Sequence, residues 1–365
     1  MEMLTIIGEL IAGVVPRYQR LAARGQAELA VTPYAHPIAP LLIDFTAARE
    51  AQSGVVLPAA AAYPGGVERA RWHVEKATLV FEHVFGQRPQ GCWPAEGAVS
   101  TPFLALLDEH KFSWTATGRA TIGHSLANSG AMSIDTGAHR VQGTNVACFH
   151  GDDGLSDLIG FTYSSWTADD AVNDLITRLR AIHRAQRNIE TAVVAVIAAG
   201  DATWQNYPRN GWEFVHTLYR RLSDDSQIEL TTFHDALLHG AGIGTLPRLV
   251  AGSGSYGNFS GWIGEAESNA IWERLCEAKR VVDEVFALGT VSDIRRREIE
   301  QQLAICESSN WFGKPQSRTD TITPAQRQRL FYRQVLRLYQ LLSVRPPVEV
   351  QTAAAVLGNP GASPI

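Results

Sequence analysis

Cysteine is scarce in this sequence, and no spacing between the cysteines suggests that they work together. The four of them, Cys92, Cys148, Cys276 and Cys306, are scattered over 365 residues without a CxxC pair. Such spacing favours reduced thiols in a cytoplasmic protein over a disulfide framework. No histidine stands at ligand spacing beside any of them, which argues against a zinc site built on cysteine. We therefore expect neither a metal ion nor another cofactor.

Strong charge and long hydrophobic runs are lacking as well. The formal net charge is −5, and no run of basic residues is interleaved with aromatic residues. The apolar stretch "MEMLTIIGELIAGVVPRYQR" is interrupted by Glu2 and Glu9, and no basic segment precedes it. It is typical of an amphipathic helix, not of a signal peptide or a membrane span. We therefore expect a cytoplasmic protein that binds neither nucleic acid nor a membrane.

What the sequence does contain is an alternation of strand and helix patterns. Short apolar runs predict buried strands at "AELAVTPY", "FSWTATG", "NVACFH", "LIGFTY", "AVVAVIAA" and "IELTTF". Segments with apolar residues at helical spacing lie between them, among them "GGVERARWHVEKATLVFEHVFG" and "ADDAVNDLITRLRAIHRAQ". This alternation indicates a parallel sheet, either open or closed into a barrel, with reactive groups at the carboxyl ends of the strands.

The pattern changes near residue 265. Three amphipathic helices with capping residues follow one another with no strand between them: "EAESNAIWERLCEAKRVVDEVFAL", "SDIRRREIEQQLAICESS" and "TPAQRQRLFYRQVLRLYQLLSV". We expect a barrel domain over residues 1–264, a helical domain over 265–345 and a flexible tail over 346–365.

The first candidate for chemistry lies in "GQAELAVTPYAHPIAPLL", where a strand ends just before Tyr34 and His36. Pro33 and Pro37 restrict the backbone on both sides, so the phenol and the imidazole are aimed rigidly. A lone histidine can equally be a structural residue whose hydrogen bonds are satisfied, and the sequence leaves both readings open.

The second candidate lies in "GCWPAEGAVS", where Trp93 and Glu96 also follow a strand. An aromatic ring can cover the apolar face of a sugar while a neighbouring carboxylate reaches the anomeric carbon. The alternative is a glutamate that only approaches the positive end of the next helix.

Two further stretches add a carboxylate and aromatic side chains. In "AVVAVIAAGDATWQNYP" Asp201 follows an apolar run of strand length and stands close to Trp204. The loop "AGSGSYGNFSGWIGEAESNAIWE" carries Trp262 among glycines and serines, but no lysine follows and the glycines do not form a nucleotide-binding turn. A loop that faces carbohydrate fits this composition better.

Taken in order, these stretches resemble glycoside hydrolase family 57. The likeness rests on "GQAELAVTPYAHPIAPLL", "GCWPAEGAVS", "LSDLIGF", "WQNYPRNGWEFVHTLYRRL", "YGNFSGWIG" with "NAIWERLCEAKR", and "LAICESSNWF". The resemblance implies an α/β fold, an incomplete (β/α)7 barrel followed by a C-terminal helical bundle. It also implies retaining hydrolysis or transfer on α-glucans or maltooligosaccharides without a metal at the reaction centre. Glu96 matches the family nucleophile, His36 a substrate-binding histidine, and Trp262 lies in an aromatic glucan-binding loop.

Three departures from the family pattern stand out. The position of the general acid is Ala199, and Asp201 falls where relatives have a glutamate. The first strand, with its own histidine, lacks a counterpart, because the match begins in the helix before the second stretch. The glucan loop has Gly254 where relatives have an aromatic residue.

The sequence therefore supports two main hypotheses. One is an α-glucan-active enzyme with Glu96 as nucleophile, in which Asp201 is a displaced acid or activity is impaired. The other is a non-catalytic glucan-binding or regulatory relative. A third alternative, a metal-dependent deacetylase on a similar barrel, needs clustered ligands. The closest histidine pair, His234 and His239, is five residues apart and poorly placed on one helix face.

Overall fold

A computed structural model describes residues 2–130, 137–185, 192–198, 200, 202–312 and 322–355. Its strands are β1 (Gly91–Cys92), β2 (Trp114–Thr117), β3 (Ala138–Val141), β4 (Ala147–His150) and β5 (Ile243–Leu246). They form a single sheet in the order β1-β2-β4-β3-β5, in which only the β3–β4 pair is antiparallel among the described strands.

Two extended segments add to this sheet through single bridges. Val31 pairs in parallel with Cys92, and Ala195 pairs in parallel with Gly151, just beyond β4. The bridges place the segment before His36 beside β1, and the segment before residue 200 beside the end of β4. Both sequence-predicted strand ends therefore lie at the carboxyl edge of the sheet.

The helices account for most of the remaining chain. They are α1 (Glu2–Ala23), α2 (Ala39–Ile43), α3 (Ala48–Ala51), α4 (Gly66–Phe85), α5 (Thr101–Glu109), α6 (Arg119–Asn128), α7 (Asp153–Asp157), α8 (Ala168–Ala185), α9 (Ala202–Gln205), α10 (Trp212–Ser223), α11 (Phe233–Leu238), α12 (Ala266–Ala287), α13 (Asp293–Cys306), α14 (Pro324–Leu342) and α15 (Val348–Ala355). The predicted helices around α1, α4, α8 and α12 to α14 are confirmed.

Local sequence explains several helix ends. The hydroxyl of Ser100 accepts a hydrogen bond from the backbone N–H of Phe103, so α5 begins with a side-chain cap. At α14 Thr323 and Gln326 form a reciprocal capping box. Helix α4 ends at Gly86, whose φ of 71° is available to glycine at little cost.

The predicted strand "LIGFTY" is wrong, because residues 158–165 form a π-helical turn and a 3₁₀ turn. Ile159 and Tyr163 are four residues apart and buried, while Phe161 between them is 78% exposed. That spacing is one helical face, which the short apolar run concealed. In "IELTTF" Phe233 begins α11 instead of ending a strand.

Apolar clusters cover both faces of the sheet. Helix residues Phe103, Leu104 and Leu107 pack with Cys148 of β4 on one face, while Phe149 packs with Trp114 and Phe233 on the other. All four cysteines are free and buried. Burial raises the pKa of every one of these thiols, which makes them poor nucleophiles.

A separate core lies among the C-terminal helices. Its largest members include Trp262, Trp272 and Phe331, joined by Leu41, Leu42 and Phe45 from the N-terminal half. The sequence predicts a flexible tail from residue 346, but residues 348–355 form α15. This helix packs against α14 and buries Val350 and Ala354. These two residues are four apart, so one helical face provides the contact.

Helix α1 exposes many apolar side chains, including Met3, Leu4 and Ile11, which are 69–73% exposed. Its hydrogen bonds to the rest of the molecule include one from the amide of Gln19 to the carbonyl of Val84. Among the helices in the described ranges, none combines the length and the apolar character that crossing a membrane requires.

Candidate functional site

Glu96 lies four residues beyond the end of β1, in a 3₁₀ turn formed by Ala95–Gly97. Its φ of 56° is left-handed, which is uncommon for a residue with a side chain. The backbone of this turn is held from two directions. Gly254 donates from its N–H to the carbonyl of Glu96 at 2.7 Å, and the hydroxyl of Thr117 donates to the carbonyl of Gly97 at 2.6 Å. The half-buried carboxylate is thus presented on a rigid support.

The 252–257 loop approaches the Glu96 turn closely at Gly254, a position where the sequence departs from the family pattern. A Cβ atom on Gly254 would lie 3.0 Å from the carbonyl oxygen of Glu96. A Cβ on Gly118 would lie 2.0 Å from the carbonyl oxygen of Gly254. The two backbones meet where side chains would separate them, so glycine at 254 lets the loop support Glu96 directly.

His36 lies in a turn with two consecutive left-handed residues, since Ala35 has φ 59° and His36 has φ 60°. Its Nδ1 is 2.7 Å from the hydroxyl of Ser309, and the N–H of Ser309 donates to the carbonyl of His36 at 2.9 Å. Burial lowers the pKa of His36, and the negative charge of Glu96 acts against that shift. The carboxylate of Glu96 therefore lies near enough for its charge to act on the His36 imidazole.

Beside His36 lies a cavity of about 610 Å³. Tyr34 lines it from the strand end, Phe81 and Phe85 from α4, and Trp311 from the segment after α13. Glu96 is not among its lining residues in the described part of the chain. His36 therefore lines this mostly apolar space and is also subject to the charge of Glu96.

Ser309 and Trp311 were missed as individual site residues by sequence reasoning. The stretch "LAICESSNWF" carried part of the family likeness, but nothing in it says which strand end it meets. The structure places Pro37 in an antiparallel bridge with Ser308, which brings this stretch to the His36 turn.

The predicted aromatic residues occupy different environments. Trp93 is half-buried and packs against the cluster of Trp114 and Phe149. Trp204 is half-buried in another cluster, with its ring 5.5 Å from that of Tyr207. Both keep part of their surface accessible.

Trp262 does not fit the substrate-binding role predicted for it. Its side chain is only 1% exposed, it belongs to the C-terminal core, and its carbonyl accepts a hydrogen bond from Trp272. A ring buried in this way offers no face to a sugar. The exposed aromatic residue of the same loop is Tyr256, which is 50% exposed and lies 6.0 Å from the Trp262 ring.

Ala199 and Asp201, the two positions that decide the general acid, lie outside the described residues. The chain before them follows the end of β4, because Asp152 donates from its N–H to the carbonyl of Ala195 at 2.8 Å. The described residues 192–198 therefore run beside the carboxyl end of β4.

Among the residues that the structure describes, no group of three or more histidine, cysteine, aspartate or glutamate side chains is arranged to hold a metal ion. His234, one of the pair weighed for a deacetylase, lies in α11 and donates from its N–H to Glu28 at 3.0 Å. His239 is the residue that ends that helix.

The fold is shared with solved structures of carbohydrate-active enzymes. A branching enzyme from Thermococcus kodakaraensis has a TM-score of 0.64 at 14% identity, over 94% of this chain and 72% of that chain. The α-amylase AmyC from Thermotoga maritima has a TM-score of 0.67 at 14% identity, over 97% and 76%. A 4-α-glucanotransferase from Thermococcus litoralis has 0.64 at 14% identity, over 95% and 53%. No curated protein matches the chain.

These likenesses confirm the predicted fold class, an α/β barrel of the incomplete (β/α)7 type followed by C-terminal helices. The family model for glycosyl hydrolase family 57 matches residues 4–240, well over half of the chain. The chain therefore belongs to glycosyl hydrolase family 57.

Proposed function

We propose that this chain is a retaining glycoside hydrolase or glucanotransferase that acts on α-glucans, with Glu96 as its nucleophile. Its family and the printed activities of its structural relatives support a substrate of this class. The observation that carries the proposal is the backbone support of Glu96 at a strand end, through the hydrogen bonds donated by Gly254 to the carbonyl of Glu96 and by Thr117 to that of Gly97.

In the proposed reaction the carboxylate of Glu96 attacks the anomeric carbon while the bond to the leaving oxygen breaks. The resulting glycosyl ester is then attacked by water, which gives hydrolysis, or by a hydroxyl of another glucan, which gives transfer. His36 and Tyr34 bind sugar hydroxyl groups, and Trp93 and Trp204 offer aromatic faces to the rings.

The same mechanism needs a second carboxyl group that first protonates the leaving oxygen and later removes a proton from the acceptor. With Ala199 at that position, we propose that Asp201 serves as a displaced acid or that this step is impaired. Loss of a general acid typically costs about 10²–10⁴-fold in rate. In substrates such as aryl α-glucosides the leaving group departs without protonation, so the sugar can still be transferred to Glu96.

The second candidate function is a non-catalytic glucan-binding relative, and the observation that favours it is alanine at 199. An aryl α-glucoside separates the two. If Glu96 is active, the phenol is released and the sugar remains covalently bound to the peptide that contains Glu96, which mass spectrometry detects. Added azide then accelerates turnover, because it attacks the glycosyl ester without needing a general base. Glu96→Gln is expected to abolish both signals, while Glu109→Gln on the exposed side of α5 leaves them unchanged. Absence of release and adduct in the unmodified chain supports the non-catalytic function.

A further inference from the structure

A buried ionic cluster joins the barrel to the C-terminal helices. The carboxylate of Glu307, immediately after α13, is fully buried and accepts hydrogen bonds from Arg69 at 2.6 and 2.9 Å and from the hydroxyl of Tyr63 at 2.6 Å. The Nε2 of His73 lies 2.8 Å from the same carboxylate. Burial opposes ionisation, but the charges of Arg69 and His73 outweigh it and hold the pKa of Glu307 at about 2.

His73 is the link from this cluster to the candidate site. Its Nδ1 is hydrogen bonded to the carbonyl of Tyr34, and the N–H of Tyr34 donates to the carbonyl of His73 at 3.0 Å. A carboxylate and a carbonyl oxygen only accept hydrogen bonds, so both ring nitrogens of His73 act as donors. One side chain on α4 thus ties Glu307 to the start of the His36 turn.

The chain that follows Glu307 holds the other end of the same turn. Ser309 bonds to His36 through both its backbone N–H and its hydroxyl, and Ser308 forms a bridge with Pro37. The turn between these anchors contains Ala35 and His36 in the left-handed conformation. Such residues keep that conformation only where the surroundings impose it.

We infer that Glu307 is a positioning residue for His36: by binding Arg69 and His73 it fixes both anchors of the strained turn and so sets the orientation of the imidazole. The expected effect of Glu307 on catalysis rests on the proposed function, whereas its effect on the environment of the His36 imidazole does not. The alternative is that the cluster only stabilises the contact between α4 and the end of α13, in which case its loss lowers stability without changing the environment of His36.

The test compares Glu307→Gln with Ser309→Ala and with Asp283→Asn. The third variant is the control, since Asp283 pairs with the buried amine of Lys279 on α12, a pair that has no part in the turn. NMR titration of the His36 imidazole is expected to give a pKa below the ordinary value in the unmodified chain, because the ring is partly buried. Glu307→Gln and Ser309→Ala are both expected to move it toward that of an exposed histidine, while Asp283→Asn leaves it in place.

Ser309→Ala removes the hydroxyl that His36 contacts directly, so it calibrates the size of the shift. Tyr63→Phe removes one hydrogen bond to Glu307 and is expected to move the His36 titration in the same direction, so it keeps the inference testable if Glu307→Gln fails to fold. An unchanged His36 titration in the folded variants overturns the inference, even when their unfolding midpoints fall. Where the unmodified chain turns over an aryl α-glucoside, both site variants are expected to lower kcat about 10-fold or more with KM less affected. If the unmodified chain shows no turnover, the proposed function fails while the titration still decides this inference.

Discussion

The buried environment of His139 is expected to lower the free energy of unfolding in mild acid. This residue lies in β3 between Cys148 of β4 and Gly244 of β5, is 3% exposed, and its Nδ1 is buried with no partner among the described residues. Its ring is 5.7 Å from that of His150. Burial, and then the neighbouring His150, lowers the pKa of His139 from 6.5 to about 4. The folded protein therefore resists protonation at this site.

The sign follows from proton linkage. In the unfolded chain the histidine takes up a proton near pH 6.5, whereas the folded chain takes it up only near pH 4, so stability falls as the pH falls between these values. At about 1.4 kcal/mol per pKa unit, the full loss below pH 4 is about 3 kcal/mol, and roughly 2 kcal/mol of it is present at pH 5. Above pH 6.5 the contribution is complete and no longer changes.

Urea unfolding at pH 7.5 and pH 5.0 measures this effect. We expect His139→Phe, which keeps an aromatic ring and removes the titration, to lose about 2 kcal/mol less than the unmodified chain between the two pH values. The control is His239→Phe at an exposed position, which leaves the difference unchanged. The reasoning is refuted if His139→Phe loses as much stability as the unmodified chain over the same interval.

Two further substitutions test the support of Glu96 and the missing acid. Gly118→Ala places a Cβ 2.0 Å from the carbonyl of Gly254 at a φ that any residue adopts, so urea unfolding should show a loss of about 1–3 kcal/mol. Gly160→Ala, where a Cβ meets open space, is the control, and equal effects would contradict the backbone contact. Ala199→Asp should raise hydrolysis of unactivated maltooligosaccharides, measured as reducing ends, by about 10²-fold or more. No gain would show that the acid is not what limits this chain.

Helices were predictable from this sequence because each spans several turns and carries its own signals. The stretch around α4 combines apolar residues at helical spacing with a terminal Gly86, and α14 begins with a capping box. The strands are two to four residues long in the described sheet, for example Gly91–Cys92. A run so short cannot display an alternation of faces. The apolar run "LIGFTY" therefore has the composition of a strand, although Ile159 and Tyr163 share a helical face.

The candidate site was predictable only where its residues follow strands. Glu96 and His36 could be selected because reactive groups gather at strand ends. Ser309 could not, because it meets His36 across 273 residues of chain and no local pattern records that contact. The loop and the family likeness both point to Trp262, but its ring is buried in the core of the C-terminal helices. Whether a single aromatic side chain is buried depends on tertiary packing, so it cannot be predicted from the composition of its loop.

The backbone of the candidate site is held in an unusual conformation at three positions. Ala35, His36 and Glu96 all adopt left-handed φ values, although none of them is glycine or asparagine. Nothing in their own side chains favours that conformation, so contacts from elsewhere must impose it: Gly254 and Thr117 around Glu96, and Ser309 around His36. Strain of this kind is kept where the surroundings over-determine a geometry. Two of the residues that the sequence singled out, His36 and Glu96, therefore have backbones whose conformation the surrounding fold imposes.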